Sequence, residues 1–360
     1  MKRISLILMV ALLCIMLTLG FTLLSCKTAK EATETTTAAQ AANAGKKVTL
    51  GVVLMDTVNP SWVTLMAGGD IAGKEVNAEV IWKGSENSLE KEIANVENFI
   101  QQKVGCILVD PMDKVAMAPV LEKALKAGIP TVSMGNLVKV PGNVSTVYND
   151  YNDTYNLNKI LFYYLNSEGK VIYLLGQNGN YCSDMRQSGF DAVAKEFPNI
   201  QVLVKGPGGF DPVAGQKLME DYLTKYPEIS AVSIWNDGLT AAIATAIKNS
   251  GRNDIVITGF DADPTTIKMM DPGGMMVGNV MTGLKRIGAW NVKVGAALAR
   301  GAELDVDKEG KLFLPTKLIL TQAVVDKAKA NGWKDDGVQW LTPADSMVTI
   351  ENATVDWSYK

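Results

Sequence analysis

An α/β protein of two lobes, each a doubly wound parallel sheet, is the fold class predicted by this chain of 360 residues. Two observations predict it. Short apolar runs alternate with helical stretches of about 10–15 residues, the pattern of βαβ units and parallel sheets. The alternation also runs through both halves of a chain too long for one core, since single cores stop growing at roughly 250–300 residues.

In the first half, Lys47–Met55 is β-branched and apolar and reads as a buried strand. From Ser88 to Gln102, Leu89, Ile93, Val96 and Ile100 recur at spacings of four, three and four, which lines up one helix face. Cys106–Val109 is a short apolar strand. Val115–Ala127 reads as a helix stopped by Gly128, and Pro130 opens a strand to Ser133. A short strand follows near Val144–Val147. In the second half, strands are expected near Lys170–Leu175, Gln201–Lys205, Ala231–Trp235, Ile255–Gly259 and Met275–Met281. Helices are expected near Met185–Phe197, Val213–Tyr226, Gly238–Asn249 and Asp263–Met270.

The N-terminus carries an export signal. Lys2 and Arg3 precede an apolar run from Ile4 to Leu24, and the run ends Leu23-Leu24-Ser25-Cys26. Residues 1–25 read as a signal peptide. A Cys after Leu-Leu-Ser resembles the lipobox of bacterial lipoproteins, which makes Cys26 the lipidated first residue of the mature chain. Residues 26–46, rich in Ala, Thr, Lys and Glu, have little to bury and read as a flexible tether.

Composition excludes other classes. Removing residues 1–25, with Lys2 and Arg3 and no acid, takes the formal charge from −3 to about −5. That argues against a nucleic-acid partner. The chain has no His, so metal sites and Ser-His or Cys-His catalysis lose their commonest participant. No enzyme, metal or cofactor is expected. Cys106, in an apolar strand, and Cys182, in a loop, read as free thiols.

In doubly wound sheets, ligands bind outside the carboxyl ends of the strands. Those ends carry Asn59-Pro60-Ser61-Trp62, Gly135-Asn136, Tyr148-Asn149-Asp150, the stretch from Gly176 to Arg186, Phe210-Asp211, Trp235-Asn236-Asp237, Phe260-Asp261 and Thr282. Amides and carboxylates meet hydroxyl groups from several sides, and Arg offers a fixed fork of donors. Flat rings cover the C–H face of a sugar. The inventory suits a neutral polyhydroxylated ligand.

Residues from about 48 to 321 resemble the type I periplasmic sugar-binding proteins of the ribose/galactose-binding family, which feed ABC importers. The matching stretches are Gly51-Val-Val-Leu, Asn59-Pro60-Ser61-Trp62, Gly105-Cys-Ile-Leu-Val-Asp-Pro111, Ala127-Gly-Ile-Pro130, Arg186-Gln-Ser-Gly-Phe190, Trp235-Asn-Asp237 and Gly259-Phe-Asp261. The resemblance implies ligand-contacting positions at Asn59, Trp62, Arg186, Phe210, Asn236, Asp261 and Thr282; Asn136 joins them as a strand-end amide of the first lobe. It also implies a three-strand hinge, with crossovers near 148–151, 281–284 and 313–316. The N-terminal lobe is then 47–149 plus 283–314, and the C-terminal lobe with its tail is 150–282 plus 315–360.

Departures from the family pattern bear on the ligand. Ribose binders carry Asp-Arg where this chain has Gly135-Asn136, and more often Gln or Asn at Thr282. This points away from ribose and leaves the first lobe without a charged clamp. The resemblance implies an extracytoplasmic receptor, held to the membrane through Cys26, that closes on a monosaccharide or polyol and delivers it to an ABC permease. The alternatives are a sensor of a sugar-like signal of the autoinducer-2 type, or a nucleoside binder in which Trp62 and Phe210 sandwich the base.

Overall fold

A computed structural model describes residues 45–209, 211–270, 273–335 and 337–352. The expected signal peptide, Cys26 and Phe210 lie outside the described residues. No helix among the described residues is long and apolar enough to cross a membrane.

The first part of the chain runs β1 (Val48–Leu54), α1 (Pro60–Glu75), β2 (Ala78–Gly84), α2 (Leu89–Gln102), β3 (Cys106–Val109), α3 (Ala118–Lys126), β4 (Thr131–Met134) and β5 (Val144–Val147). The second runs α4 (Asp150–Tyr164), β6 (Gly169–Leu175), α5 (Tyr181–Ala194), β7 (Ile200–Pro207), α6 (Pro212–Lys225), β8 (Ala231–Ile234), α7 (Asp237–Asn249), β9 (Val256–Thr258), α8 (Pro264–Ile267) and β10 (Met276–Met281). The last part holds α9 (Leu284–Ala299), β11 (Lys311–Phe313), β12 (Lys317–Ile319), α10 (Gln322–Ala330), β13 (Trp340–Leu341) and α11 (Pro343–Asn352).

The strands form two sheets, ordered β11-β5-β4-β3-β1-β2 and β13-β12-β10-β9-β8-β6-β7. Every pairing in the first sheet is parallel. The second departs from the parallel expectation once, where β12 returns antiparallel to β10. The chain passes between the sheets three times: between β5 and α4, between β10 and α9, and between β11 and β12. Each sheet has its own core. Leu50, Val52, Leu108 and Val132 are buried in the first; Ile172, Leu174, Val232 and Ile257 are buried in the second.

The periodicity reading does not reach the elements after β10, and before them it misses α1, β2 and α4; α1, α4 and α9 show why. α4 buries polar groups, Asp150, Thr154 and Asn158, beside its apolar ones, and α9 is buried on most of its circumference. Neither leaves a clean stripe. α1 packs against α9 at backbone distance. A Cβ at Gly68 would stand 1.8 Å from the Lys285 carbonyl oxygen, and one at Gly288 would stand 1.9 Å from that of Leu65. Only glycines allow this approach, and glycines weaken the helix pattern.

Boundaries also shift. The Asn180 side chain accepts from the Ser183 amide at 3.1 Å and starts α5 at Tyr181 rather than Met185. Cys182 therefore lies on a helix, not in a loop, and Arg186 falls in its second turn rather than opening it. α3 starts at Ala118, because Asp113 holds Val115 and Ala116 in a turn (2.7 and 2.8 Å). α8 is one turn long and continues as a 3-10 turn over Lys268–Met270. Cys106 and Cys182 are both free and buried.

Candidate functional site: a cleft between two lobes

The carboxyl ends of both sheets face one cleft with two chambers. The inner chamber, about 90 Å³, is lined by Trp62, Asp110, Asn136 and Tyr148 from the first part of the chain and by Asn180, Cys182, Arg186, Trp235, Asn236 and Asp261 from the second. Leu284 and Ile287 of α9 also line it. The outer chamber, about 880 Å³, opens between Asp56, Asn59 and Asn87 on one side and Gln177, Asn178 and Asp211 on the other.

Arg186 organises the second lobe's share. Its Nε donates to Asp150 Oδ1 at 2.8 Å and its Nη1 to the Trp235 carbonyl at 2.6 Å. Nη2 lies 3.6 Å from Asp261 Oδ1. The guanidinium carbon sits 3.5 Å from the centre of the Phe260 ring. Burial opposes its charge, but Asp150 and Asp261 outweigh burial and hold it protonated. Burial raises the pKa of Asp150, and Arg186 draws it back. Asp261 is pushed up to about 6 by burial against the pull of Arg186.

Asn236 is both helix cap and lining residue. Its Oδ1 accepts from the Leu239 amide at 3.2 Å, and its residue lines the inner chamber. Trp235 is pinned through its indole N–H to the Gly209 carbonyl at 2.9 Å. Asp261 is not the cap of α8; Asp263 is, accepting from Thr265 at 2.8 Å. Asp261 is left facing the chamber, and the Thr282 hydroxyl lies behind it, 3.3 Å from its carbonyl oxygen and 3.4 Å from Oδ1.

On the first lobe, Asn136 bridges to the second. Its Oδ1 accepts from the Tyr181 amide at 2.9 Å and the Cys182 amide at 3.4 Å, at the start of α5. Its Nδ2 donates to Asp110 Oδ1 at 2.9 Å. Lys114 and Asp184 form an ion pair across the same seam. Asp110 places a titratable carboxylate at the chamber, so the first lobe does carry an ionisable group there, contrary to the expectation of a lobe without a charged clamp. Burial pushes its pKa up to about 7, and the Asn136 amide partly offsets that.

Of the expected residues, Trp62, Asn136, Arg186, Asn236 and Asp261 come together at the inner chamber. Asn59 stands apart in the outer chamber, where its Oδ1 caps α1 through Ser61 at 3.0 Å. Thr282 supports Asp261 rather than lining the chamber. Sequence reasoning left out Asp110, Tyr148, Asn180, Cys182 and Trp235 as site residues. All five stood in strand-end stretches or the segment after β6, so their position was the available signal. Leu284 and Ile287 had none, because only the topology returns α9 to the cleft.

Comparison with known proteins agrees with this geometry. A family model described as a periplasmic binding protein domain matches residues 50–303. The ribose import binding protein of Escherichia coli (strain K12) is 27% identical over 288 residues, covering 78% of this chain and 93% of the relative. That of Bacillus subtilis (strain 168) is 31% identical over 229 residues, covering 62% and 74%. Among solved structures, an ABC transporter solute-binding protein from Bacillus halodurans C-125 with bound myo-inositol superposes with a TM-score of 0.69 at 26% identity, covering 79% of this chain and 98% of that one. With two wound lobes, a cleft at their strand ends and a family match over most of its length, the chain belongs to the periplasmic binding protein domain family and is a solute-binding protein of ABC transport, not an enzyme.

Proposed function

We propose that this receptor is lipid-anchored at Cys26 and captures a small, neutral, hydroxylated molecule, a pentose or polyol, between lobes 47–149 plus 283–314 and 150–282 plus 315–360 for delivery to an ABC permease. One observation carries the ligand class. Asp110 and Asp261 face a small chamber in which, among the described residues, Arg186 is the one cation, and that cation is already paired with Asp150. An anionic ligand would add a charge to this set. Hydroxyl groups instead donate to the carboxylates and accept from Asn236 and Arg186.

Size supports the reading. The inner chamber is small, about 90 Å³, and the larger outer chamber adjoins it, which favours a compact ligand over an oligosaccharide. Trp62 supplies an apolar face at the inner chamber's edge, and Asn59 is assigned to the outer rim of the ligand. The ligands named for the relatives, ribose and myo-inositol, are of this chemical type.

The test is a thermal-shift screen of the mature protein against pentoses, hexoses, polyols, nucleosides, sugar acids and sugar phosphates. Neutral pentoses or polyols should give the largest shifts. A stronger shift from a sugar acid or phosphate would overturn the ligand class. For the anchor, labelling with a palmitate analogue should depend on Cys26.

A further inference from the structure

Asp237 lies behind the cleft, near Asn236 in sequence, and does not line either chamber. It is buried, at 4% exposure. Two backbone amides and the Asn279 amide donate to its carboxylate, and two hydroxyls, each also within reach of a backbone carbonyl, lie beside it. Oδ1 accepts from the Phe260 amide at 3.2 Å, the Thr240 hydroxyl at 3.2 Å and Asn279 Nδ2 at 3.0 Å. Oδ2 accepts from the Asp263 amide at 2.8 Å, the Thr266 hydroxyl at 2.5 Å and Asn279 Nδ2 at 2.9 Å. The Phe260 and Asp263 N–H groups and the Asn279 N–H₂ can only donate and so favour the ionised form, whereas burial and the nearby Asp261 push the pKa up to about 7.

These bonds tie down one turn, Gly259–Asp263, and that turn carries two parts of the ligand cleft. Phe260 lies under the Arg186 guanidinium. Asp261 lines the inner chamber. The turn needs holding. Asp261 has φ of 103° and Ala262 of 60°, a region that non-glycine residues rarely occupy and that surrounding contacts must enforce. Asn279 completes the clamp: its amide group donates to Asp237 while its Oδ1 accepts from the Ala262 amide at 3.2 Å. Gly259 makes room for it, since a Cβ there would stand 2.3 Å from Asp237 Oδ1.

We infer that Asp237 is the positioning residue of the ligand cleft, holding the Gly259–Asp263 turn so that the Asp261 carboxylate, and the Arg186 guanidinium backed by the Phe260 ring, meet the ligand in one fixed arrangement. It acts through Asp261 and touches no ligand itself. The inference rests on the proposed sugar or polyol site.

The test is a double-mutant cycle with Asp237→Asn and Asp261→Ala, read by calorimetry with D-ribose, D-xylose, xylitol and myo-inositol as probes. Asp237→Asn keeps the shape but turns an amide N–H₂ toward donors. It should weaken the best-bound probe by about tenfold or more, the size of one lost charge-assisted bond. In the Asp261→Ala background the same change should cost under about twofold, because coupled residues are non-additive. An equal loss in both backgrounds, or no loss in the first, overturns the inference. Amide exchange in the ligand-free protein gives a readout that needs no sugar: Phe260 and Asp263 should lose protection in Asp237→Asn while Ala244 and Ile247, deep in α7, keep theirs. If none of the probes binds the wild type, the ligand reading fails, and unchanged protection at these two amides is then what overturns the positioning role. If Asp237→Asn does not fold, Thr266→Val removes a single donor and should show the same pattern at smaller size.

Discussion

Removing the Asn136 side chain should weaken every ligand by the same factor. The residue spans the seam between the lobes: its Oδ1 accepts from Tyr181 at 2.9 Å and Cys182 at 3.4 Å, while its Nδ2 is engaged by Asp110. Opening would expose the α5 amides and the Asn136 amide to water, so the bridge contributes its net value, about 0.5–1.5 kcal/mol. Asn136→Ala then lowers the closed-to-open ratio by roughly two- to twelvefold. The apparent affinity for a ligand that needs the closed form falls by the same factor when the open form dominates without ligand. Calorimetry with two chemically different binders, a pentose and a cyclitol, measures the loss, and small-angle scattering of the ligand-free variant measures the opening. Losses that differ between the two ligands by more than about threefold, or a scattering profile identical to the wild type, would refute a closure role and make Asn136 a ligand contact instead.

Three further outcomes follow from the same geometry. Arg186→Ala should abolish measurable binding and also lower stability by about 3–5 kcal/mol, because it leaves Asp150 and Asp261 without their buried cation; thermal melts and calorimetry read the two effects, and an unchanged melting point would refute the pairing. Glu92, Asp110, Asp153 and Asp261 have folded pKa values raised by burial to about 8, 7, 7 and 6. Between the ordinary carboxylate range and these values the folded state binds more protons than the unfolded one, so stability is present at the acid end and lost as pH rises through the window. The ligand-free protein should melt higher at about pH 5.5 than at about pH 8, while sugar affinity, which needs Asp110 and Asp261 ionised to accept hydroxyl donors, should run the opposite way. Cys26→Ser should release the protein into the soluble fraction with ligand affinity unchanged; a variant still membrane-bound after signal cleavage refutes the anchor.

The fold was legible where burial is one-sided. The α2 stripe of Leu89, Ile93, Val96 and Ile100, and the four-residue apolar run of β3, announce themselves because one face or both faces are uniformly apolar. α4 and α9 were hidden for the opposite reason: each is enclosed by several neighbours, and buried polar groups such as Asn158 and Asn291 break their pattern. The site was legible as far as strand ends go. Arg186, Asn236 and Asp261 lie where the sheet topology puts ligand contacts. What could not be read is how a side chain divides its bonds. Asn136 and Thr282 are polar and near the chamber, yet one bonds across the lobes and the other braces a carboxylate. Asp110 directly follows the apolar run Cys106–Val109, and no spacing rule says that its carboxylate faces the cleft.

The two lobes contribute unequally, and the inequality bears on how affinity is set. Arg186, Asp150, Asp261 and Trp235 are bonded to one another within the second lobe, so their arrangement does not depend on closure. The first lobe offers Asp110 and Trp62, and Asp110 is oriented by Asn136, whose other bonds exist only when the lobes meet. Preorganised groups bind without an ordering cost, whereas groups assembled by closure are reduced in effect by the open fraction. Substitutions in the second lobe should therefore change which ligand is preferred. Substitutions at Asn136 or at the Lys114–Asp184 pair should change how strongly every ligand is held.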